Sequence, residues 1–362
     1  MSLDIATRPQ VRVLVVDDSA FMRMALSRMI TSESGFEVAG TACTGTEALG
    51  KIATLDPDVV TLDVQMPGLD GLETLRCIMT QSPRPVIMVS AVTEEDAEIT
   101  FRALGAGAFD YVPKQMSSTS LEIAHIREDL VAKIWAAAQA RHSPAGWPSC
   151  GMTLACSRLE EQNSNSISPA IVALGTSTGG PKALQEILPL FPPDLSVPLL
   201  IVQHMPLGFT AAFAQRLNSL CSLTVREAVD HEPIRPGVAY IAPAGMHMTV
   251  ERNSDLRACI CLRTRPQNCL HIPSIDLMMK SVAETFGNLA MGIIMTGMGS
   301  DGAEGMKAIQ RQGGLTIGQD ETTCAVYSMP RACAELGALS RSVPLSLIPA
   351  QVLQATHYYK HA

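Results

Sequence analysis

Between Val11 and Val112 the chain repeats one pattern: a short apolar, largely β-branched run, then a helix-length amphipathic stretch. Strands are expected at Val11–Val16, Phe36–Ala39, Asp58–Leu62, Pro85–Ser90 and Phe109–Val112. Helices are expected at Ala20–Ile30, Gly45–Thr54, Gly71–Thr80 and Glu94–Leu104. Strands that read as continuous apolar runs, separated by helices, call for a parallel sheet covered on both faces. Five such units in about 120 residues fit a flavodoxin-like (βα)5 doubly wound domain. A further helix, Ser120–Ala140, closes it.

The stretch from Arg141 to Ser168 is polar and rich in turn formers, and it reads as a linker. Strand, glycine turn and helix then recur: Ala170–Leu174 runs into G-T-S-T-G-G, and the pattern returns at Leu199–His204 and Met291–Asp301. A β-rich stretch from Thr224 to Leu262 lies between the last two. The second module is therefore expected to be a doubly wound α/β domain with an antiparallel β insertion. Expected boundaries are 10–130 for the first domain, 131–168 for a helical extension and linker, and 169–358 for the second domain. A length of 362 residues agrees with two domains.

Composition excludes several function classes. Residues 1–135 carry 11 Lys/Arg against 19 Asp/Glu, whereas residues 136–362 carry 16 of each. No basic cluster exists for a nucleic-acid backbone. The ten cysteines show no C-x-x-C or zinc spacing, which suits a reducing compartment. The first ten residues lack the apolar core of a signal peptide. The longest uncharged run, Leu195–Gln215, contains Pro198, Gln203, His204, Pro206 and Gly208, a poor membrane span. The expectation is a cytoplasmic protein with neither nucleic-acid partner nor membrane insertion.

Asp17 and Asp18 directly follow the first strand, and Asp63 follows the third. In a right-handed doubly wound sheet those two strand ends are neighbours, so three carboxylates converge at the switch point. Carboxylates that close repel one another and call for a hard cation, with Mg²⁺ the natural occupant. Ser90 and Lys114, at the ends of strands four and five, add a hydroxyl and an ammonium to the same rim. The plainer alternative is that Asp17–Asp18 caps the helix starting near Ala20.

These pieces, V-V-D-D-S, L-D-V-Q-M-P-G-L-D-G, Ser90 and F-D-Y-V-P-K, resemble a response-regulator receiver domain over roughly residues 10–130. The resemblance implies that Asp63 is the phosphoacceptor, taking its phosphoryl group from a histidine kinase. It implies Mg²⁺ held by Asp18, Asp63 and the Gln65 carbonyl, with Asp17 assisting through water. Lys114 would pair with the phosphoryl oxygens, and Ser90 and Tyr111 would form the conformational switch. Gln65 and Gln115 depart from the usual pattern, in which an acid and a proline are common.

G-T-S-T-G, residues 175–179, fits the G-x-S-x-G nucleophile elbow and follows an apolar strand as that motif requires. Glycines permit the sharp turn that exposes Ser177 Oγ. A chance match and a phosphate-binding loop are the rival readings, the second weakened because Gly180-Pro181-Lys182 breaks the P-loop order. A serine nucleophile needs a base. His204 ends the next apolar strand and reaches the same rim; His247 is the other histidine near such a turn. Asp301, in M-T-G-M-G-S-D-G-A, is expected to end a third strand and could orient the imidazole. It could equally cap the helix beginning near Gly302.

Residues 170–340 carry G-T-S-T-G-G-P, Q-H-M-P-L-G-F-T, A-Y-I-A-P-A-G-M-H-M, H-I-P-S-I-D, M-T-G-M-G-S-D-G-A-E-G-M and Q-D-E-T-T-C-A-V-Y-S-M-P. These strings resemble the catalytic domain of the CheB family of chemotaxis protein-glutamate methylesterases, which also sits behind a receiver. The resemblance implies a catalytic Ser177, His204 and Asp301, an oxyanion hole using the N–H groups of Met298 and Thr178, and no cofactor for the esterase reaction. Its implied substrates are glutamate methyl esters on methyl-accepting chemoreceptors, with glutamine deamidation as a second activity. An unphosphorylated receiver that shields the Ser177 cleft is also implied. Two competing classes are a non-enzymatic signalling module and a DNA-binding regulator; the latter would need a basic output domain that residues 136–362 do not supply.

Overall fold

The computed structural model describes residues 10–91, 93–114, 120–141, 168–265 and 269–356. Gln115, most of the expected linker and residues 357–358 of the expected second domain lie outside them. Two compact units, Met1–Gly151 and Met152–Ala362, divide the chain.

In the first unit the strands are β1 (Val11–Val16), β2 (Phe36–Ala42), β3 (Val59–Asp63), β4 (Val86–Ser90) and β5 (Asp110–Pro113). All pair in parallel in the order β2-β1-β3-β4-β5. β3 and β4 are buried from end to end, as their largely apolar sequences suggest. The helices α1 (Ala20–Thr31), α2 (Gly45–Leu55), α3 (Gly71–Gln81) and α4 (Glu94–Gly105) begin at the caps Ser19, Thr44, Asp70 and Thr93. Each cap oxygen accepts one of the backbone N–H groups that a helix start leaves unpaired. α5 (Ser120–Arg141) is the last described element of the unit. Because the chain steps outward from β1 to β2 and then back to β3, the crevice opens between β1 and β3.

The second unit is built on a seven-stranded parallel sheet in the order β14-β13-β12-β6-β7-β9-β8. These strands are β6 (Ile171–Thr176), β7 (Leu199–Gln203), β8 (Thr224–Glu227), β9 (Val238–Ile241), β12 (Ala290–Ile294), β13 (Leu315–Gln319) and β14 (Arg341–Val343). The antiparallel insertion is a hairpin of β10 (His247–Arg252) and β11 (Ala258–Arg263). It is narrower than the β-rich stretch suggests, because Thr224–Glu227 pairs in parallel with Val238–Ile241 and joins the main sheet. The helices are α6 (Gly180–Ile187), α7 (Thr210–Leu220), α8 (Ile275–Phe286), α9 (Ala303–Arg311), α10 (Ser328–Glu335) and α11 (Ile348–Ala355). The strands after β6 extend one side of the sheet and those from β12 onward extend the other, so the switch point lies between β6 and β12.

One expectation needs correction. Asp301 does not end a strand: β12 stops at Ile294, and Asp301 lies further on in a loop. Met295 N–H still donates to Gly175 O of β6 (2.9 Å), and the backbone leaves the ladder after it because the next groups find other partners: Thr296 N–H donates to Gln319 Oε1 (2.8 Å) and Gly297 N–H to Val326 O (3.0 Å).

Candidate active site

Thr176 and Gln203 are register partners in the β6–β7 ladder, so Ser177 and His204 are the next residues along two adjacent strands. Neighbouring strands run about 4.8 Å apart, which sets the two side chains side by side at one sheet end. Three hydrogen bonds fasten this corner: His204 N–H to Thr176 O (3.2 Å), Gln203 Nε2 to Ser177 O (2.9 Å) and Ser177 N–H to Thr296 O (3.0 Å). Close approach explains the glycines of the elbow. A Cβ on Gly179, whose φ is +76°, would lie 2.6 Å from Ala325 Cβ, and one on Gly180 would lie 2.1 Å from Gln203 Oε1.

The loop after β12 carries the rest of the group. A Cβ on Gly297 would stand 2.8 Å from Ser177 Cβ, so this loop presses directly on the elbow. Thr296 Oγ1 donates to Thr178 O (2.9 Å) and accepts from Val326 N–H (3.0 Å). Neither Thr178 N–H nor Met298 N–H donates a hydrogen bond among the described residues. Thr178 follows Ser177 in the chain and Met298 follows Gly297, which packs against Ser177; uncommitted backbone donors near a hydroxyl are what an oxyanion requires.

Asp301 Oδ2 sits 2.9 Å from His204 Nε2. The same oxygen accepts from Ile275 N–H (2.8 Å), and Oδ1 accepts from Ser274 Oγ (3.0 Å) and Asp276 N–H (3.0 Å). Burial would raise this carboxyl, but the bond and charge of His204 and the backbone donors outweigh it and hold the pKa at about 2. An ionised Asp301 only accepts, so Nε2 carries the imidazole proton and Nδ1 holds the free lone pair. Nδ1 is buried without a hydrogen-bond partner among the described residues, and the Ser177–His204 bond is not closed. Such bonds commonly tighten only when substrate binds.

Asp301 does not cap its own helix. The N-cap of α9 is Gly302, at φ +97° and with no side-chain bond, while the Asp301 carboxylate caps the start of α8. His247 is fully buried, and its Nδ1 accepts from Ser274 N–H (3.1 Å), a supporting position behind the site. Sequence reasoning passed over three residues within H-I-P-S-I-D. His271 stacks on the His204 ring with centroids 4.1 Å apart, and Ser274 and Asp276 meet Asp301. Their signal was the string itself, which has no catalytic spacing.

In the first unit, carboxylate oxygens of Asp17, Asp18 and Asp63 lie within 4.8 Å of one another. Lys114 Nζ bridges Asp17 (2.9 Å) and Asp63 (2.6 Å). Burial pushes the Asp63 carboxyl up to about 6, with Lys114 opposing and the Asp17 charge adding. Burial works against the Lys114 ammonium, yet its bonds to Asp63 and Asp17 leave its pKa raised. Three hard oxygen donors, two buried and one exposed, fit a small divalent cation, whose charge would oppose the burial and, to a lesser extent, the Asp17 repulsion that raise Asp63. The helix-capping alternative fails: Ser19 Oγ caps α1, and Asp17 Oδ1 instead accepts from Ser19 N–H (2.9 Å).

The Gln65 side chain turns away from the carboxylates and donates from Nε2 to Asp96 Oδ1 (2.7 Å), which leaves only its carbonyl for a cation. Ser90 is buried; its hydroxyl accepts from Thr100 Oγ1 (2.8 Å) and donates to Ala91 O (3.2 Å). Tyr111 is buried with its ring edge-on to Phe101 (6.0 Å) and beneath Lys133 Nζ (5.3 Å), and burial drives its phenol pKa upward. Among the described residues, no helix is long and apolar enough to cross a membrane.

A carboxylate crevice in one doubly wound unit and a serine, imidazole and carboxylate in another define a response regulator with an enzymatic output unit. The family model for the CheB methylesterase matches residues 172–352, and that for the response regulator receiver domain matches residues 13–125. A protein-glutamate methylesterase/protein-glutamine glutaminase of Pyrococcus abyssi is 42% identical over 355 residues, covering 96% of this chain and 94% of the relative. A protein of the same name from Symbiobacterium thermophilum is 43% identical over 361 residues, covering 97% and 98%. The crystal structure of the Thermotoga maritima CheB methylesterase catalytic domain is 36% identical, covers 52% of this chain and 99% of that one, and superposes with a TM-score of 0.50. The chain belongs to the CheB methylesterase family.

Proposed function

We propose that this chain hydrolyses glutamate methyl esters on methyl-accepting chemoreceptors, and deamidates glutamine there, under control of phosphorylation at Asp63. The observation that carries the reading is the Asp301–His204 bond at 2.9 Å, with His204 one strand from Ser177. Ser177 Oγ attacks the ester carbonyl while His204 Nδ1 takes its proton. Asp301 keeps the Nε2–H tautomer and stabilises the imidazolium. The N–H groups of Met298 and Thr178 receive the oxyanion, each worth about 2.7–4 kcal/mol. Nδ1–H then protonates methoxide, which leaves as methanol. Water, deprotonated by the same nitrogen, cleaves the glutamyl-serine ester and regenerates Ser177 with a free glutamate. With a glutamine side chain the leaving group is ammonia.

Residues 10–130 serve as receiver, 131–168 as connection and 169–358 as catalytic domain. Asp18, Asp63 and the Gln65 carbonyl would hold Mg²⁺, with Asp17 behind them; the ion supplies charge neutralisation to phosphoryl transfer from a histidine kinase. Lys114 pairs with the phosphoryl oxygens, and Ser90 and Tyr111 answer to them. The esterase reaction needs no cofactor. Such partners place the protein in the cytoplasm. The test is methanol release from methylated receptor membranes: wild type releases it, and Ser177→Ala does not. Release by Ser177→Ala at the wild-type rate would overturn the assignment.

A further inference from the structure

Asp301 stands in a segment with glycine at 297, 299 and 302, the last two at φ +88° and +97°. Glycine-rich backbone is conformationally loose, so the acid's placement needs support from outside its own loop. That support is an exchange between two helix starts. The Asp301 carboxylate takes Ile275 N–H and Asp276 N–H at the start of α8, while Asp276 Oδ1 takes Gly302 N–H (3.0 Å) and Gly305 N–H (2.7 Å) at the start of α9. Each carboxylate caps the other residue's helix. The cap that Gly302 cannot provide for α9 comes from Asp276.

A second observation points the same way. A Cβ on Gly305 would fall 2.6 Å from Met279 Cβ and 3.2 Å from Asp276 Cα. Glycine at 305 therefore lets α9 lie against α8 closely enough for Asp276 to reach its N–H groups. The arrangement also has a cost: burial, and then the Asp301 charge, raise the Asp276 carboxyl above its usual range. A helix cap alone could be supplied by serine or threonine without a second carboxylate beside the first.

We propose that Asp276 is a positioning residue for catalysis, pinning the Asp301–Gly302 corner so that the acid stays on His204 Nε2. It touches neither Ser177 nor His204 among the hydrogen bonds of the site, and it acts through Asp301. The proposal rests on reading Ser177, His204 and Asp301 as the esterase group.

The test uses the full chain and methylated receptor membranes, with wild type, Asp276→Ala, Asp276→Asn, Gly305→Ala and Asp301→Ala side by side. Displacement of a catalytic group by about 1 Å can cost on the order of 100-fold in rate, and smaller shifts proportionately less. Asp276→Ala and Gly305→Ala should lower kcat by about 10- to 100-fold with KM within about twofold. Asp276→Asn keeps the accepting oxygen and should retain at least half the activity. The proton NMR signal of His204 Nε2–H, shifted downfield by Asp301, should broaden or vanish in Asp276→Ala and persist in Asp276→Asn. Wild-type kcat in Asp276→Ala, or equal failure of the Asn and Ala variants, overturns the proposal. If Asp276→Ala does not fold, Gly305→Ala and Asp276→Asn decide by the same criteria. Full activity in Asp301→Ala would instead overturn the esterase reading beneath it.

Discussion

Replacing Asp301 with asparagine changes one atom and removes one charge, and the structure says what each should do. The carboxylate receives four donors: His204 Nε2 and Ile275 N–H on Oδ2, Ser274 Oγ and Asp276 N–H on Oδ1. An asparagine has one accepting oxygen and one amide nitrogen. If the oxygen faces His204, the NH2 group meets Asp276 N–H, donor against donor. If the NH2 faces His204, the imidazole must turn its proton to Nδ1, and the base opposite Ser177 is lost. The latter tautomer accounts for losses of about 10⁴ in kcat in serine hydrolases of similar arrangement, so Asp301→Asn should lose about 10²–10⁴. The charge has its own consequence. Folding lowers the Asp301 pKa from 3.8 to about 2, which corresponds to about 2 kcal/mol of stability. A depressed carboxyl contributes that stability above its unfolded value and loses it as pH falls through the folded one. Urea denaturation should therefore show Asp301→Asn less stable by about 2 kcal/mol at pH 7 and by roughly 1 kcal/mol at pH 3. A variant within tenfold of wild-type kcat, or a stability deficit that does not change with pH, refutes the reasoning.

Gly297→Ala drives a methyl group to 2.8 Å from Ser177 Cβ and 2.2 Å from Met329 Sδ; methanol release should fall at least about tenfold, with a stability loss of about 1–3 kcal/mol in urea. Asp63→Asn should abolish the response to a small-molecule phosphodonor while leaving basal methanol release in place. In the wild type that response should not exceed about 150-fold, the upper range of a typical coupling of about 1–3 kcal/mol. Chelation with EDTA should block phosphodonor activation and spare basal esterase activity; loss of basal activity on chelation would contradict an esterase that uses no metal.

Much of this was legible in the sequence because a parallel α/β sheet delivers strand ends to one edge. Asp17 and Asp63 sit at the ends of β1 and β3, and Ser177 and His204 come directly after β6 and β7, so alternation of apolar runs and turns located all four. Asp301 was found by its motif but placed on a strand, since M-G-I-I-M-T reads as an apolar run and nothing local shows the ladder ending at Ile294. The parallel pairing of β8 was hidden for a similar reason: a four-residue strand has no periodicity that distinguishes parallel from antiparallel partners. The bonds of Ser274 and Asp276 to Asp301 span 27 and 25 residues, and no periodicity links such positions. Turning the Gln65 side chain toward Asp96, 31 residues away, was equally beyond local reading.

His204 and Asp301 are separated by 97 residues, and the contacts that seat the carboxylate come from α8, made in between. During translation at about 5–20 residues per second, the imidazole emerges from the ribosome roughly 5–20 s before Asp301, and the Ser177 hydroxyl earlier still. Through that interval the nascent chain carries the serine and the histidine without the carboxylate proposed to orient the imidazole. In the proposed mechanism, hydrolytic competence therefore waits on a residue made well after the nucleophile and its base.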